Sequence, residues 1–184
     1  MIDNFKYKTN WCIITGAPSS GKTSVIEELA HRGYAIQNEI AREVIEMHLE
    51  TGKDLDEIRN KPISLQKKIM EIALAREMAL DIDKLIFMDR GIPDNIAYFE
   101  LAEFDCMAAK ASAKLFEYKK VFIFDRLPIV KDNVRIEDEM LADKIDATLT
   151  KNYKELGYKP IRVPVMSIEK RTDFIIEALK QDAE

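Results

Sequence analysis

Five short apolar runs punctuate this chain, and segments with helical spacing separate them. The first, Trp11-Cys12-Ile13-Ile14-Thr15, suits a strand buried on both faces. Tyr34-Ala35-Ile36, Leu85-Ile86-Phe87-Met88 and Val121-Phe122-Ile123-Phe124 read the same way. Ile161 to Val165 forms a fifth run, expected at a sheet edge because Pro164 has no N–H for a ladder. Between the runs, Val25, Ile26, Leu29 and Ala30 share one helix face that ends near Gly33. Ile40, Val44, Met47 and Leu49 mark a second helix, and Gly52 to Lys61 a charged connection. Pro62 and Ser64 open a longer helix to about Leu80, with Leu65, Ile69, Ile72 and Ala73 inward. Further helices are expected from Pro93-Asp94 through Leu101, over Met107 to Phe116, and from Glu137 to Leu156 before Gly157. Ser167 is placed to cap the last one, which carries Ile168, Phe174, Ile175 and Leu179. Strands alternating with helices predict an α/β fold, its parallel sheet covered on both faces.

In such a sheet, ligands bind at the carboxyl ends of the strands. Directly after the first run comes Gly16-Ala17-Pro18-Ser19-Ser20-Gly21-Lys22-Thr23, the G-x-x-x-x-G-K-T pattern of a phosphate-binding loop. Gly16 and Gly21 reach torsions closed to other residues, so successive N–H groups can turn inward as an anion nest. The helix that follows, entered through Thr23 and Ser24, adds free N-terminal donors and the positive end of its dipole. Lys22 reaches the β- and γ-phosphates in this motif, and the Thr23 hydroxyl ligates Mg²⁺. Strand, loop, helix is the context that distinguishes the motif from a chance glycine turn.

Glu39, Asp89 and Asp125 fall at the same sheet edge. Asp89 ends the third run, where a second acidic group near Mg²⁺ sits in P-loop proteins. Arg90 follows it, either to meet phosphate or substrate or to pair with Asp89 or Glu39. Glu39 lies just beyond the second run with Arg42 three residues on. Glu39 is suited to take a proton from a substrate hydroxyl while Arg42 holds an anion; the alternative is a helix-start carboxylate favoured by the dipole. Asp125 ends the fourth run, in a structural role or near the nucleoside. Lys131 and Arg135 flank Asp132-Asn133 in a segment able to close as a lid over residues 126–137, or to remain a solvated loop.

Composition narrows the field. With 184 residues, 47% hydrophobic and 33% charged, the chain fits one globular domain spanning residues 1–184. A formal charge of −5 gives no reason to expect nucleic acid as a partner. Cys12 and Cys106 are too few and too far apart for a disulfide framework or metal spacing. The eight methionines are expected to fill core. No run is long enough to span a bilayer and Met1 to Asn10 lacks a secretory apolar stretch, so the expected location is the cytoplasm.

Taken together, these residues resemble the P-loop kinase-like group that includes the ribosylnicotinamide kinase domain and small AAA or ATP/GTP-binding domains. The matching pieces are Gly16–Thr23, Glu39-Ile40-Ala41-Arg42-Glu43 and Phe87 to Asp94, then Asp132-Asn133-Val134-Arg135, Tyr153 to Tyr158, and Val163-Pro164-Val165 with Glu169-Lys170-Arg171. The resemblance implies a three-layer P-loop NTPase fold, nucleoside-kinase-like, with the Walker strand at the centre of five and a mobile lid carrying Arg135. It also implies a substrate pocket among the Glu39 region, the Asp89 loop and the helices from Pro62 to Leu80, with a carboxylate base after the second strand. The expected activity is transfer of a γ-phosphoryl group from ATP or GTP, with Mg²⁺, to a hydroxyl of a nucleoside-like metabolite. The alternative is an NTP-binding switch or regulatory NTPase. No Asn-Lys-x-Asp guanine signature is present, which favours ATP.

Overall fold

The computed structural model describes residues 5–52, 62–127 and 136–181. Its elements are β1 (Tyr7–Lys8), β2 (Trp11–Thr15), α1 (Lys22–His31), β3 (Ala35–Gln37), α2 (Ile40–Glu50), α3 (Pro62–Ala79) and β4 (Ile86–Asp89). They continue with α4 (Ile92–Leu101), α5 (Met107–Ser112), β5 (Phe116–Glu117), β6 (Lys120–Phe124), α6 (Ile136–Glu155), β7 (Ile161–Val163) and α7 (Ile168–Lys180). Five strands form one parallel sheet in the order β3-β4-β2-β6-β7, so the strand that feeds the phosphate loop is central. Ile13 lies opposite Met88 on one side and Val121 on the other.

The alternation of side chains along β2 builds two cores. Cys12 and Ile14 pack with Phe87, Phe122 and Phe124 under Val25 and Leu29 of α1 and Ile175 of α7. Trp11 and Ile13 face the other way, against Met88, Val121, Ile123 and Tyr153 of α6. Every residue of β2 is buried, as its unbroken run requires. The result is three layers, helix on sheet on helix.

Three expectations need correction. The helix over Met107 to Phe116 stops at Ser112, and Phe116 instead pairs in parallel with Tyr7 in a second, two-stranded sheet. Phe116 is drawn there because its ring packs on Trp11, centroids 5.0 Å apart, and on Tyr7 at 5.8 Å. The strand expected to Val165 ends at Val163. The carbonyl of Pro164 is taken by Arg171 Nε at 2.9 Å. The methionines also divide: Met88 is buried, whereas Met47, Met78, Met107 and Met140 are exposed. Neither cysteine is in a disulfide, and Cys12 lies in the core.

Candidate active site

The loop between β2 and α1 carries three residues at positive φ: Gly16 at 145°, Ser19 at 60° and Gly21 at 78°. Gly16 is doubly constrained, because a Cβ there would lie 2.9 Å from the carbonyl oxygen of Phe124 on the neighbouring strand. Lys22 lies across this loop, its Nζ donating to Gly16 O at 3.1 Å, Ala17 O at 3.2 Å and Ser20 Oγ at 3.2 Å. Burial, reinforced by the nearby Arg90 guanidinium, lowers the Lys22 pKa to about 8. Ala17 and Ser20 are buried, and Pro18 and Ser19 face outward.

The loop is fastened from behind by a residue to which sequence reasoning gave no role. Arg171 of α7 donates from Nη1 to Ser20 O at 2.5 Å, from Nη2 to Asp125 O at 3.1 Å and from Nε to Pro164 O. Its guanidinium lies over the Phe124 ring, 5.1 Å from the centroid. Three backbone carbonyls and a ring therefore replace the carboxylate expected for a buried arginine.

At the end of β4 the chain reverses through Arg90, a non-glycine residue at φ 73°. Such a conformation is strained, and it persists where the surroundings over-determine it. Here they do. Arg90 Nε meets Glu39 Oε1 at 2.8 Å, and Nη1 meets Asp94 Oδ1 at 3.1 Å. The same guanidinium lies over the Tyr98 ring at 5.5 Å. Of the two openings left by the sequence, Arg90 takes the ion pair with Glu39 and adds Asp94. Burial disfavours the charge of Glu39, but Arg90, Lys22 and Arg42 together outweigh it and hold its pKa below the usual value. Asp89 shows the opposite balance, since burial pushes it up to about 6 against the pull of Arg90.

Two clefts meet here. One is lined by Thr23, Asn38, Glu39, Arg42 and Asp89, among others. The other is an open cleft of about 200 Å³ that runs from Glu39, Asp89 and Arg90 between α2, α3 and α4. Its walls are largely apolar, with Ile40, Ile69, Met88 and Tyr98 among them. Arg76 and Glu43 form an ion pair beside it. Gly16–Thr23, Glu39, Asp89 and Arg90 are thus gathered at one edge, and Arg42 stands exposed in the first cleft. The second Asp-Arg pair is dispersed: Asp125 faces Arg162 at 3.4 Å and Arg126 reaches Asp143 on α6. Lys131 and Arg135, with most of the lid proposed over 126–137, lie outside the described residues.

A family model described as an AAA domain matches residues 11–171, from the first residue of β2 to the arginine behind the phosphate loop. The chain belongs to the AAA domain family. No curated protein matches it. Among solved structures it is similar to the NadR protein in complex with NR, at 16% identity and a TM-score of 0.68, covering 94% of this chain and 51% of that one. It therefore spans about half the length of the NadR protein. Thymidylate kinase from Ehrlichia chaffeensis matches at 16% identity and a TM-score of 0.64, covering 94% and 98%. Deoxyadenosine kinase from M. mycoides with bound dCTP matches at 16% identity and a TM-score of 0.55, covering 93% and 99%. At these identities the likeness is one of fold: this AAA domain has the P-loop architecture of nucleoside and nucleotide kinases.

The residues of this AAA domain fit a magnesium nucleotide. Asp89 Oδ1 is buried without a hydrogen-bond partner, the kind of oxygen that a bound cation satisfies. Among the described residues no group of three or more His, Cys, Asp or Glu is placed to hold a metal by itself. Mg²⁺ is held by one or two protein groups together with phosphate oxygens. No helix among the described residues is long and apolar enough to cross a membrane.

Beyond Arg171, two more residues of the site escaped the sequence. Asp94 accepts from Thr15 Oγ1 at 2.5 Å, Tyr153 Oη at 2.6 Å and the Gly91 N–H at 3.2 Å, besides Arg90. Its signal was its place three residues after Gly91 at a helix start, where a carboxylate reaches back to the chain. Glu77 is 2% exposed on α3. Its signal was the row Ile69, Ala73, Glu77, whose i, i+4 spacing continues a buried stripe.

Proposed function

We propose that this AAA domain is a small-molecule kinase that transfers the γ-phosphoryl group of ATP or GTP, with Mg²⁺, to a hydroxyl of a nucleoside-like metabolite. One observation carries the reading. The Thr23 side of the site and the deep apolar cleft share Asn38, Glu39 and Asp89 on their walls, so a phosphate-binding region adjoins a pocket large enough for an organic acceptor. A nucleotide switch needs ordered loops around a γ-phosphate and has no use for such a pocket.

In this reading the loop N–H groups and Lys22 hold the β- and γ-phosphates, while Thr23 and Asp89 hold the metal. Mg²⁺ supplies charge neutralisation across the phosphate oxygens. The acceptor oxygen attacks the γ-phosphorus as the bond to the β-phosphate oxygen breaks, and its proton passes to Glu39. Arg90 fixes the rotamer of Glu39 and keeps it ionised, at the cost of some basicity. The loose transition state of phosphoryl transfer asks little of a base, so orientation counts for more than proton affinity. Arg42 and Arg90 line the acceptor's path, and Arg135 is proposed to close over the transferring group.

Two substitutions test the parts. Glu39→Gln keeps the size but removes the base, so nucleotide affinity should survive while acceptor phosphorylation falls by roughly 10²-fold. The assay is nucleoside diphosphate release with and without a panel of hydroxyl acceptors, and a wild-type rate in the variant rules out the base role. Arg135→Ala should lower kcat at least roughly tenfold more than it weakens nucleotide binding, because a lid arginine acts on transition-state charge. Equal losses in steady-state kcat and in nucleotide Kd place Arg135 in ground-state binding instead.

A further inference from the structure

Among the polar residues that line the deep cleft and have no part in the phosphoryl-transfer scheme, Glu77 is a buried carboxyl. Glu77 lines the cleft on the α3 side, and the charge acting on it is the like charge of Asp94. Its Oε1 accepts from the Tyr118 hydroxyl at 2.8 Å. That hydroxyl accepts in turn from the Ile92 N–H at 3.1 Å and turns its single proton toward Oε1. The close approach depends on Gly91, where a Cβ would stand 2.9 Å from Tyr118 Oη. The other carboxyl oxygen, Oε2, is buried without a hydrogen-bond partner.

These contacts define the state of the group. A carboxyl buried beside a like charge stays neutral, and burial pushes Glu77 up to about 8. With Oε1 receiving a hydrogen bond, the proton belongs on Oε2, where it has no acceptor among the described residues. A buried donor left unmade is costly, and a ligand that supplies the missing acceptor recovers that cost.

We propose that Glu77 is the specificity-determining residue of the deep cleft, donating from Oε2 to a ring nitrogen or carbonyl on the flat, uncharged head group of the acceptor metabolite. The inference rests on reading the cleft as the acceptor site and adds what that reading lacks, the chemistry of the head group. The apolar walls formed by Ile40, Ile69 and Met88 favour a planar apolar face, and Glu77 selects one with a hydrogen-bond acceptor on its edge. An analogue of the same shape without the acceptor leaves the proton unpaired and is rejected.

Cytidine, which carries a ring nitrogen and a carbonyl and does not titrate near neutrality, serves as one probe; phenyl riboside, of similar shape without either acceptor, serves as the other. Calorimetric titration of the wild-type chain near pH 7 should show cytidine binding at least about tenfold tighter than phenyl riboside. Glu77→Met should bring the two to within about threefold, while Glu77→Gln, whose amide can still donate, should keep the preference. Between about pH 7 and 9 the wild-type preference should decline as Glu77 ionises and loses its donor, and in Glu77→Gln it should not.

Of the groups that face Glu77, burial raises the pKa values of Tyr118 and Tyr158 above the usual tyrosine value, and Asp94 on α4 is paired with Arg90. On α3 itself, Arg76 is paired with Glu43. The same preference in Glu77→Met as in the wild type overturns the proposal, as does an equal pH decline in Glu77→Gln or no cytidine binding at millimolar concentration. Should Glu77→Met fail to fold by circular dichroism, the pH comparison with Glu77→Gln decides alone. Phosphoryl transfer from ATP is followed in parallel. A Glu77-dependent preference without transfer sinks the kinase reading and leaves this inference standing, and transfer with an unchanged preference does the reverse.

Discussion

Replacing Lys22 with alanine is expected to remove most of the thermal stabilisation that Mg²⁺ with ATP or GTP gives the wild-type chain, while the ligand-free variant stays folded. The asymmetry follows from the contacts of the side chain. Among the described residues its Nζ bonds atoms of the loop itself, Gly16 O, Ala17 O and Ser20 Oγ, and none of the helices or strands behind it. Deleting it costs roughly one to two kcal/mol of hydrogen bonding, partly offset because an ammonium no longer has to be buried. The loop keeps its shape, since the positive φ values at Gly16, Ser19 and Gly21 and the Arg171 bond to Ser20 O remain. With nucleotide the balance inverts. A ligand at about a hundred times its Kd stabilises the folded state by about 2.7 kcal/mol, roughly 5–10 °C in Tm for a chain of this size. Without Lys22 the β- and γ-phosphates lose the ammonium that the loop supplies, so most of that rise should vanish and phosphoryl transfer should fall by on the order of 10³-fold. Calorimetric melting of both proteins with and without each triphosphate is the measurement. If neither triphosphate at millimolar concentration moves the wild-type transition, nucleotide binding at this loop is refuted.

The parts of the molecule legible in the sequence are those in which one residue type answers one physical demand. The central strand could be read because all of Trp11 to Thr15 is buried, which leaves an unbroken apolar run. The phosphate loop could be read because its torsions admit glycine almost alone at Gly16 and Gly21. Glu39, Asp89 and Arg90 could be placed at one edge because each follows a strand of a parallel sheet, and β3, β4 and β2 are neighbours. What stayed hidden depends on partners distant in sequence. The pairing of Tyr7 with Phe116 spans two residues per strand, too few for any period to register. Arg171 reads as one more charge on an amphipathic helix until Ser20, Asp125 and Pro164 are seen to converge on it. Glu77 was masked by the habit of sending charged residues to solvent, although its spacing from Ile69 and Ala73 placed it inside.

The second large effect is expected at Asp94, where the fold and the site depend on one carboxylate. It is 2% exposed and takes hydrogen bonds from four donors on two elements and a turn. Thr15 ends β2 and leads into the phosphate loop; Tyr153 belongs to α6, and Gly91 and Arg90 form the turn after β4. Asp94→Ala leaves the Thr15 and Tyr153 hydroxyls buried without their acceptor and takes one of the two carboxylates from Arg90. Breaking a buried charge pair from one side costs about 3–5 kcal/mol, because the remaining charge has lost its compensation. For a chain of this size that is a fall in Tm of roughly 10 °C. Asp94→Asn keeps the shape, and one hydroxyl can turn to donate to the amide oxygen, so its loss should be about half as large. Function should suffer in both variants. With Asp94 gone, Glu39 is the one carboxylate left to Arg90, and the strained turn at φ 73° loses one of the contacts that fix it. Glu39 then loses its fixed orientation, and kcat for any acceptor should fall even below the melting transition, where the protein remains folded. An Asp94→Ala protein that melts within about a degree of wild type would show that these four hydrogen bonds are replaceable by solvent, and the carboxylate would lose its place as the link between phosphate loop and acceptor cleft.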